Sequence, residues 1–301
     1  MPVKPEPFLS ALIASVFCFL LLAPAPRPLL VAPVCASMAD ETRLCLERPA
    51  ERVVSLTPHL TEMLHAIGAQ DRIAGVVEHS DYPPEAARHP LVGPFHAPDL
   101  ERLLSLRPDL VVSWRTGSPA ALIERLRKLG LPVWIARSER LDDIPAELRA
   151  LGGLTGQDSA AGQAARDYES ALSGLRAEYA NRRPLRGFYE IWAHPLITVS
   201  DRHFIGEAMH LCGIENIVGS ASSATPTWNE EAVIRARPEL LLTSPPARDF
   251  QRWRRWPELP AVRNDALFIL PPDVLMRPGP RLIEGVRALC SSADRARSAR
   301  P

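Results

Sequence analysis

Two Glu-x-x-His pairs, Glu62 with His65 and Glu207 with His210, are the residues here whose spacing matches a known metal chemistry. In carboxylate-bridged di-iron proteins, two such pairs sit on facing helices of one bundle, and two further carboxylates complete the ligand set. Here the pairs fall in separate halves of an alternating strand and helix pattern, so they read as matched outer faces of two equivalent helices. The eight histidines are otherwise dispersed, with no zinc spacing. No Ser-His-Asp spacing, P-loop or glycine-rich dinucleotide fingerprint occurs. The sequence therefore predicts no catalytic set, no metal ligand set and no resident cofactor, and the chain is expected not to be an enzyme.

What must position any site is a duplicated scaffold. "DLERLLSLRPDLVVS" (99–113) aligns without a gap on "NEEAVIRARPELLLT" (229–243). Each has a polar start, Glu at the third position (Glu101 and Glu231), an apolar helix face, an Arg-Pro stop and an aliphatic strand. A second pair, "EMLHAIGAQD" from Glu62 and "EAMHLCGIEN" from Glu207, keeps Glu, His and Gly in register. Gly68 and Gly213 fit helix C-terminal positions where a left-handed backbone costs least.

Strands are expected at 52–56, 72–77, 110–114 and 132–136, and again at 187–192, 197–200, 240–244 and 267–270, with helical patterns between them. That alternation predicts an α/β fold with a mostly parallel sheet in each of two lobes. The Ala-, Glu- and Arg-rich stretch 158–182 reads as a single helix about 37 Å long at 1.5 Å per residue. It would join the lobes as a stiff strut beside a cleft that holds ligand. The expected boundaries are a signal peptide at 1–36, an N-terminal tail at 37–51, a first lobe at 52–140, a helical connector at 141–184, a second lobe at 185–293 and a disordered tail at 294–301.

Ligands of open α/β sheets bind beyond the carboxyl ends of the strands. This sequence places Pro58 and His59 after the first strand, Tyr82 after the second and Trp114 at the end of the third. In the second half, Pro195 to Ile197 follow the strand that opens the lobe, and Asp273 and Arg277 follow the last strand. Mostly aromatic and aliphatic with a polar rim, such a cleft suits a large, largely neutral ligand. Each residue also has a plain alternative: Trp114 as core, and Asp273 and Arg277 as partners of each other.

Thirty-five basic residues balance thirty-five acidic ones, so no general nucleic-acid or anionic-membrane partner is indicated. The N-terminus has Lys4 ahead of an apolar run from Phe8 to Ala23 and then prolines, which is an export signal pattern too short for a spanning helix. Cleavage is expected near Ala36, with a lipid anchor at Cys35 as the alternative. Export favours disulfides. Cys212 and Cys290, both in helix-like sequence of the C-terminal half, are expected to pair, with Cys45 left in a polar tail; three free thiols is the other reading, since sequence does not determine connectivity.

Together, "SLTPHLTEMLHAIGA", "EHSDYPPEA", "DLERLLSLRPDLVVSW", "MHLCGIENI" and "RPGPRLIEGVRALC" resemble the cobalamin (vitamin B12) binding proteins of bacterial ABC importers, within the helical-backbone class of periplasmic solute-binding proteins. The likeness runs from about Arg52 to Cys290. It implies a periplasmic, monomeric receptor that carries cobalamin or a related corrinoid as cargo to an inner-membrane ABC permease and its ATPase. It puts Tyr82, Phe95 and Trp114 on the corrin from one lobe and Asp273 and Arg277 on its polar groups from the other. Leu196, Ile197 and Thr225 stand where family members can carry aromatic contacts, and Glu101 and Glu231 match the glutamates that dock each lobe on the permease. His59 would be able to approach the metal of a bound corrin or haem. A ferric siderophore or haem on the same scaffold is the runner-up, and an exported metal-binding or interaction protein is the alternative of a different class.

Overall fold

The computed structural model describes residues 1–4, 32–247 and 249–299. Most of the expected leader lies outside these residues. No helix among the described residues is long and apolar enough to cross a membrane.

An antiparallel hairpin of β1 (Val34–Ser37) and β2 (Arg43–Leu46) pairs Cys35 with Cys45 in a disulfide. The first lobe follows as β3 (Val53–Ser55), α1 (Pro58–Ala66), β4 (Ile73–Val76), α2 (Leu100–Ser105), β5 (Leu110–Trp114), α3 (Ala120–Lys128) and β6 (Val133–Ala136). Two connector helices come next, α4 (Asp143–Thr155) and α5 (Asp158–Tyr179). The second lobe comprises β7 (Leu185–Trp192), β8 (Ile197–Thr198), α6 (Phe204–Leu211), β9 (Ile214–Asn216), α7 (Glu230–Ala236), β10 (Leu240–Thr243), α8 (Pro260–Arg263), β11 (Leu267–Ile269), α9 (Pro272–Leu275) and α10 (Leu282–Ser298).

The duplication seen in the sequence is a duplication of topology. The first sheet has the parallel order β4-β3-β5-β6, and the second repeats it as β9-β7-β10-β11, with β8 added antiparallel beside the end of β7. Matched helices are built by matched local chemistry. Asp99 and Asn229 each accept a hydrogen bond from the backbone N–H three residues on, capping α2 and α7. Past α1 and α6, Gly68 and Gly213 turn the chain at φ of 76° and 69°.

One continuous apolar core runs from Leu60, Met63 and Leu64 of α1, across Leu148 and Leu151 of α4 and Tyr168 and Leu172 of α5, to Met209 of α6 and Leu289 of α10. The outer face of each sheet has its own smaller cluster, around Val54 and Val111 in one lobe and Phe188 and Trp253 in the other. At 22 residues α5 is about 33 Å long, and its buried residues belong to the shared core.

Polar contacts cross between the lobes in a reciprocal way. Glu62 of α1, with its side chain 3% exposed, accepts from Arg281 Nη2 at 2.7 Å, Arg281 Nε at 2.9 Å and Arg277 Nη1 at 3.0 Å in the segment before α10. Its duplicate, Glu207 of α6, accepts from the Leu141 N–H at 2.9 Å and pairs with Arg140 in the segment before α4, and with Arg176 of α5. Each lobe's glutamate therefore holds the other lobe's entry into its closing helix. The outward face expected for both Glu-x-x-His pairs is thus corrected, because both carboxylates turn inward to these groups while His210 stays exposed.

Three further expectations change. Cys45 is paired with Cys35, and the segment expected as a tail at 37–51 packs on the first lobe, with Trp134 Nε1 donating to the Ser37 carbonyl at 2.9 Å and the Ala50 N–H to the Leu154 carbonyl at 2.7 Å. The three-residue strand β9, paired with β7, falls outside the strands expected from sequence. The segment expected as a disordered tail from 294 continues α10 to Ser298, where Arg297 donates to the Cys212 and Arg183 carbonyls at 2.7 and 2.8 Å. Cys212 and Cys290 are joined as expected, linking α6 to α10.

Removing a buried carboxylate strands the guanidinium groups it neutralises. Glu62→Ala is expected to cost about 3 kcal/mol of unfolding free energy, against less than about 0.5 kcal/mol for exposed Glu231→Ala. Urea unfolding midpoints of the two variants against the parent check this, and equal midpoints would remove the clamp from the account of stability.

Candidate functional site

The carboxyl ends of the parallel strands are where exposed aromatic rings collect. Trp114 ends β5 half-buried, with Nε1 donating to the Arg137 carbonyl at 2.9 Å. The His59 ring meets it edge-on at 5.0 Å between centroids, and Gly117 lies so close to its six-membered ring that a Cβ there would collide with it. The Trp114 ring is therefore held from several sides.

Pro58 opens α1 and is half-buried, while His59 is 3% exposed. His59 Nε2 lies 3.5 Å from Ser138 Oγ, which donates to Glu147 Oε2 at 2.7 Å. Burial, with the charge of Arg277 adding to it, depresses the His59 pKa to about 3. Burial also pushes Glu147 up to about 7, against hydrogen bonds from Ser138 and Arg137. The expectation that His59 offers a nitrogen to a ligand metal is corrected: the neutral ring is buried against Trp114 and Ser138, so it backs the tryptophan.

Tyr82 and Phe95 stand out at 41% and 40% exposure. Tyr82 precedes a cis peptide bond to Pro83, and the Arg281 guanidinium lies 3.5 Å from the centroid of its ring. Arg277, expected to reach ligand, has carboxylates around it: Glu62, Asp81 at 2.8 Å and Asp273 at 3.4 Å. Burial disfavours its charge, but the hydrogen bonds and charges of Asp81 and Glu62 outweigh burial and hold its pKa above the ordinary value. Asp273 is exposed. The structure thus joins Tyr82, Asp81, Arg277 and Asp273 into one corner built from both lobes.

In the second lobe the exposed ring is Trp192, at 48% exposure, with Nε1 donating to the His194 carbonyl at 2.8 Å. Together with Ala193, His194, Pro246 and Asp249 it lines a cavity of about 340 Å³ at the carboxyl ends of β7 and β10. Sequence reasoning passed over Trp192 as the last residue of a strand; the available signal was that β5 and β7 both end in tryptophan. Ile197 sits opposite Trp192 on β8 and is half-buried, and Leu196 turns into the lobe's own core. Thr225 is exposed on a segment that flanks β8 through the Ala224 and Pro226 carbonyls, outside the lining of that cavity. Trp228 stacks on Phe188 at 6.1 Å and is part of that core. The structure therefore puts Trp192, rather than Ile197 or Thr225, in the lining of that cavity. Arg281 and Glu62 are the other contributors that sequence reasoning missed; only their burial and their partners across the lobes reveal them.

Glu101 and Glu231 are exposed in the first turns of α2 and α7, with no ion-pair partner among the described residues. Glu230, next to Glu231, is tied to Arg252 and Arg255, and Arg252 also binds buried Glu190 through both terminal nitrogens at 2.9 Å. Glu190 further accepts from Trp253 Nε1 at 2.9 Å. This network ties the end of β7, next to Trp192, to the start of α7.

The chain belongs to the periplasmic binding protein family, whose model matches residues 53–274. It is 36% identical over 245 residues to the vitamin B12-binding protein of Vibrio cholerae serotype O1, covering 81% of this chain and 89% of that protein. Over 244 residues it is 36% identical to the vitamin B12-binding protein of Vibrio parahaemolyticus, covering 80% and 89%. The crystal structure of the periplasmic vitamin B12 binding protein BtuF of Vibrio cholerae superposes with a TM-score of 0.77 at 35% identity, covering 83% of this chain and 98% of that one. The haem-binding protein RhuT from Roseiflexus sp. RS-1 shares the fold at a TM-score of 0.73 and 22% identity, covering 82% and 99%.

Because His59 titrates far below its unfolded value, the unfolded chain takes up a proton that the folded one refuses. Its contribution to stability is complete above about pH 6.5 and is lost as pH falls toward 3, by about 1.4 kcal/mol per pH unit. Urea unfolding between pH 7 and 4 is expected to show a flatter acid limb in His59→Gln than in the parent. Parallel limbs would refute the assignment.

Proposed function

We propose that this chain is a periplasmic receptor that captures cobalamin, or a closely related corrinoid, between its lobes and delivers it to an inner-membrane ABC permease and its ATPase. The observation that carries this reading is the identity to the Vibrio vitamin B12-binding proteins over most of both chains, well above that to the haem-binding structure. The exposed rings suit such a cargo, since a corrin offers broad apolar faces with polar groups at its rim. In this reading Tyr82, Phe95 and Trp114 take one side of the corrin and Trp192 beside Pro246 takes the other, with Asp273 and Arg277 at the amide rim. Pro58 supports the first-lobe wall. Arg277 would exchange part of its carboxylate contact for the ligand. The role needs no catalytic group and no resident cofactor, because cobalamin is the cargo, and we take the receptor to act as a monomer.

Export fits the two disulfides, which persist in an oxidising compartment. A cut near Ala36 would divide β1 and take Cys35 from its bond, so we place the mature start ahead of Val34. The Cys35 sulfur is then committed to Cys45 rather than to a lipid thioether. Glu101 and Glu231, exposed and equivalent in the repeat, would meet basic groups of the permease, one from each lobe.

Isothermal titration of the mature protein with cyanocobalamin, haemin and a ferric siderophore tests the ligand. One-to-one binding of cyanocobalamin is expected, weakened about tenfold in Tyr82→Ala and in Trp192→Ala. Heat with haemin or the siderophore alone would move the cargo to the runner-up class and leave the scaffold assignment intact. For docking, Glu101→Ala/Glu231→Ala is expected to abolish uptake of cyanocobalamin while leaving its affinity unchanged. Undiminished uptake would end the docking assignment.

A further inference from the structure

The Glu62-x-x-His65 motif is divided by the fold. Glu62 faces the second lobe, whereas His65, in the last turn of α1, faces His89, which closes the short 3-10 turn Pro84–Arg88. The two Nε2 atoms are 3.2 Å apart, with ring centroids at 5.3 Å and planes inclined by 58°. Both rings are half-buried, and each sits at the end of a regular element rather than in a long loop.

Two imidazole nitrogens at that separation make one hydrogen bond, but they also have the bite of a chelate. Ligands about 2.05 Å from a tetrahedral ion stand about 3.3 Å apart, so an ion would seat between these rings with little movement of either. Burial holds both pKa values below the ordinary histidine value, and in His65 the neighbouring ring adds to the effect. Neutral rings protonated on Nδ1 leave both Nε2 lone pairs free for an ion. Two carboxylates act in favour of positive charge here, Glu85 on His65 and Asp71 on His89. No group of three or more potential ligands occurs among the described residues, so water would complete the coordination. Imidazole with water selects Zn²⁺, Ni²⁺ or Cu²⁺ over Mg²⁺ or Ca²⁺.

We propose that His65 and His89 form a two-histidine site for a divalent transition-metal ion, stapling the end of α1 to the turn that follows Tyr82. Titration of the untagged protein with Zn²⁺, Ni²⁺ and Mg²⁺, in parent, His65→Gln, His89→Gln and the double variant, tests it. One equivalent of Zn²⁺ and of Ni²⁺ is expected to bind the parent, at least tenfold more weakly in each single variant, with no heat from Mg²⁺. Zn²⁺ is also expected to raise the melting temperature of the parent but not of the double variant, whose unfolding without metal shows that it is folded. Absence of saturable binding to the parent, or binding retained in the double variant, overturns the site. This outcome is independent of cobalamin, which no arm of the experiment contains.

Discussion

A carboxylate in each lobe, buried in Glu62 and partly buried in Glu207, receives groups from the other, and the relative placement of the lobes depends on that exchange. Glu62 holds Arg277 and Arg281 before α10, and Glu207 holds Arg140 and the Leu141 N–H before α4. Desolvating such charges costs several kcal/mol per ion, so the net stabilisation over an apolar contact is small, while the cost of separating the partners is large. The geometry is directional, which an apolar contact is not. The same two helix starts flank a core that continues from lobe to lobe along α5. A wide opening would have to break ion pairs and expose that core together, which favours small changes of angle.

The same carboxylate reaches the aromatic corner. Arg281 is fixed by Glu62 and lies over Tyr82, so a ring that is largely exposed on one side is braced on another. Trp114 is braced differently, by the edge of a buried neutral histidine and a backbone carbonyl. In both cases a large ring is held by contacts within the protein, which in the proposed role would reduce the conformational entropy lost on binding. Trp192 repeats the arrangement in the second lobe, where its indole N–H is satisfied by the nearby His194 carbonyl.

Much of this was legible in one sequence. The repeat of 99–113 at 229–243 has the same meaning in the structure, two capped helices each feeding a buried central strand, because capping residue, apolar stripe, proline stop and aliphatic run are all local signals. The long connector was legible for the same reason, ending three residues earlier than its proline alone implied. The hairpin at Cys35 and Cys45 was not, since its strands are four residues each and are stabilised by contacts with β6 and α4 about a hundred residues away. The helical end of the chain was missed because its polar sequence gains order from carbonyls around Cys212.

For the candidate site the division follows from range. Residue type and position after a strand pointed to Tyr82, Trp114, Asp273 and Arg277, since the carboxyl end of a parallel strand is set by the local pattern. Which way a side chain faces is another matter. Glu62 and His65 lie three residues apart on one helix, yet one pairs with residues 215 and 219 positions away and the other with a histidine 24 positions away. His59 looked available and is buried, whereas Trp192 looked like the end of a strand and is exposed. Helix period and strand alternation constrain neighbours along the chain, but burial is decided by what the rest of the chain packs against them, and that exists only in the folded molecule.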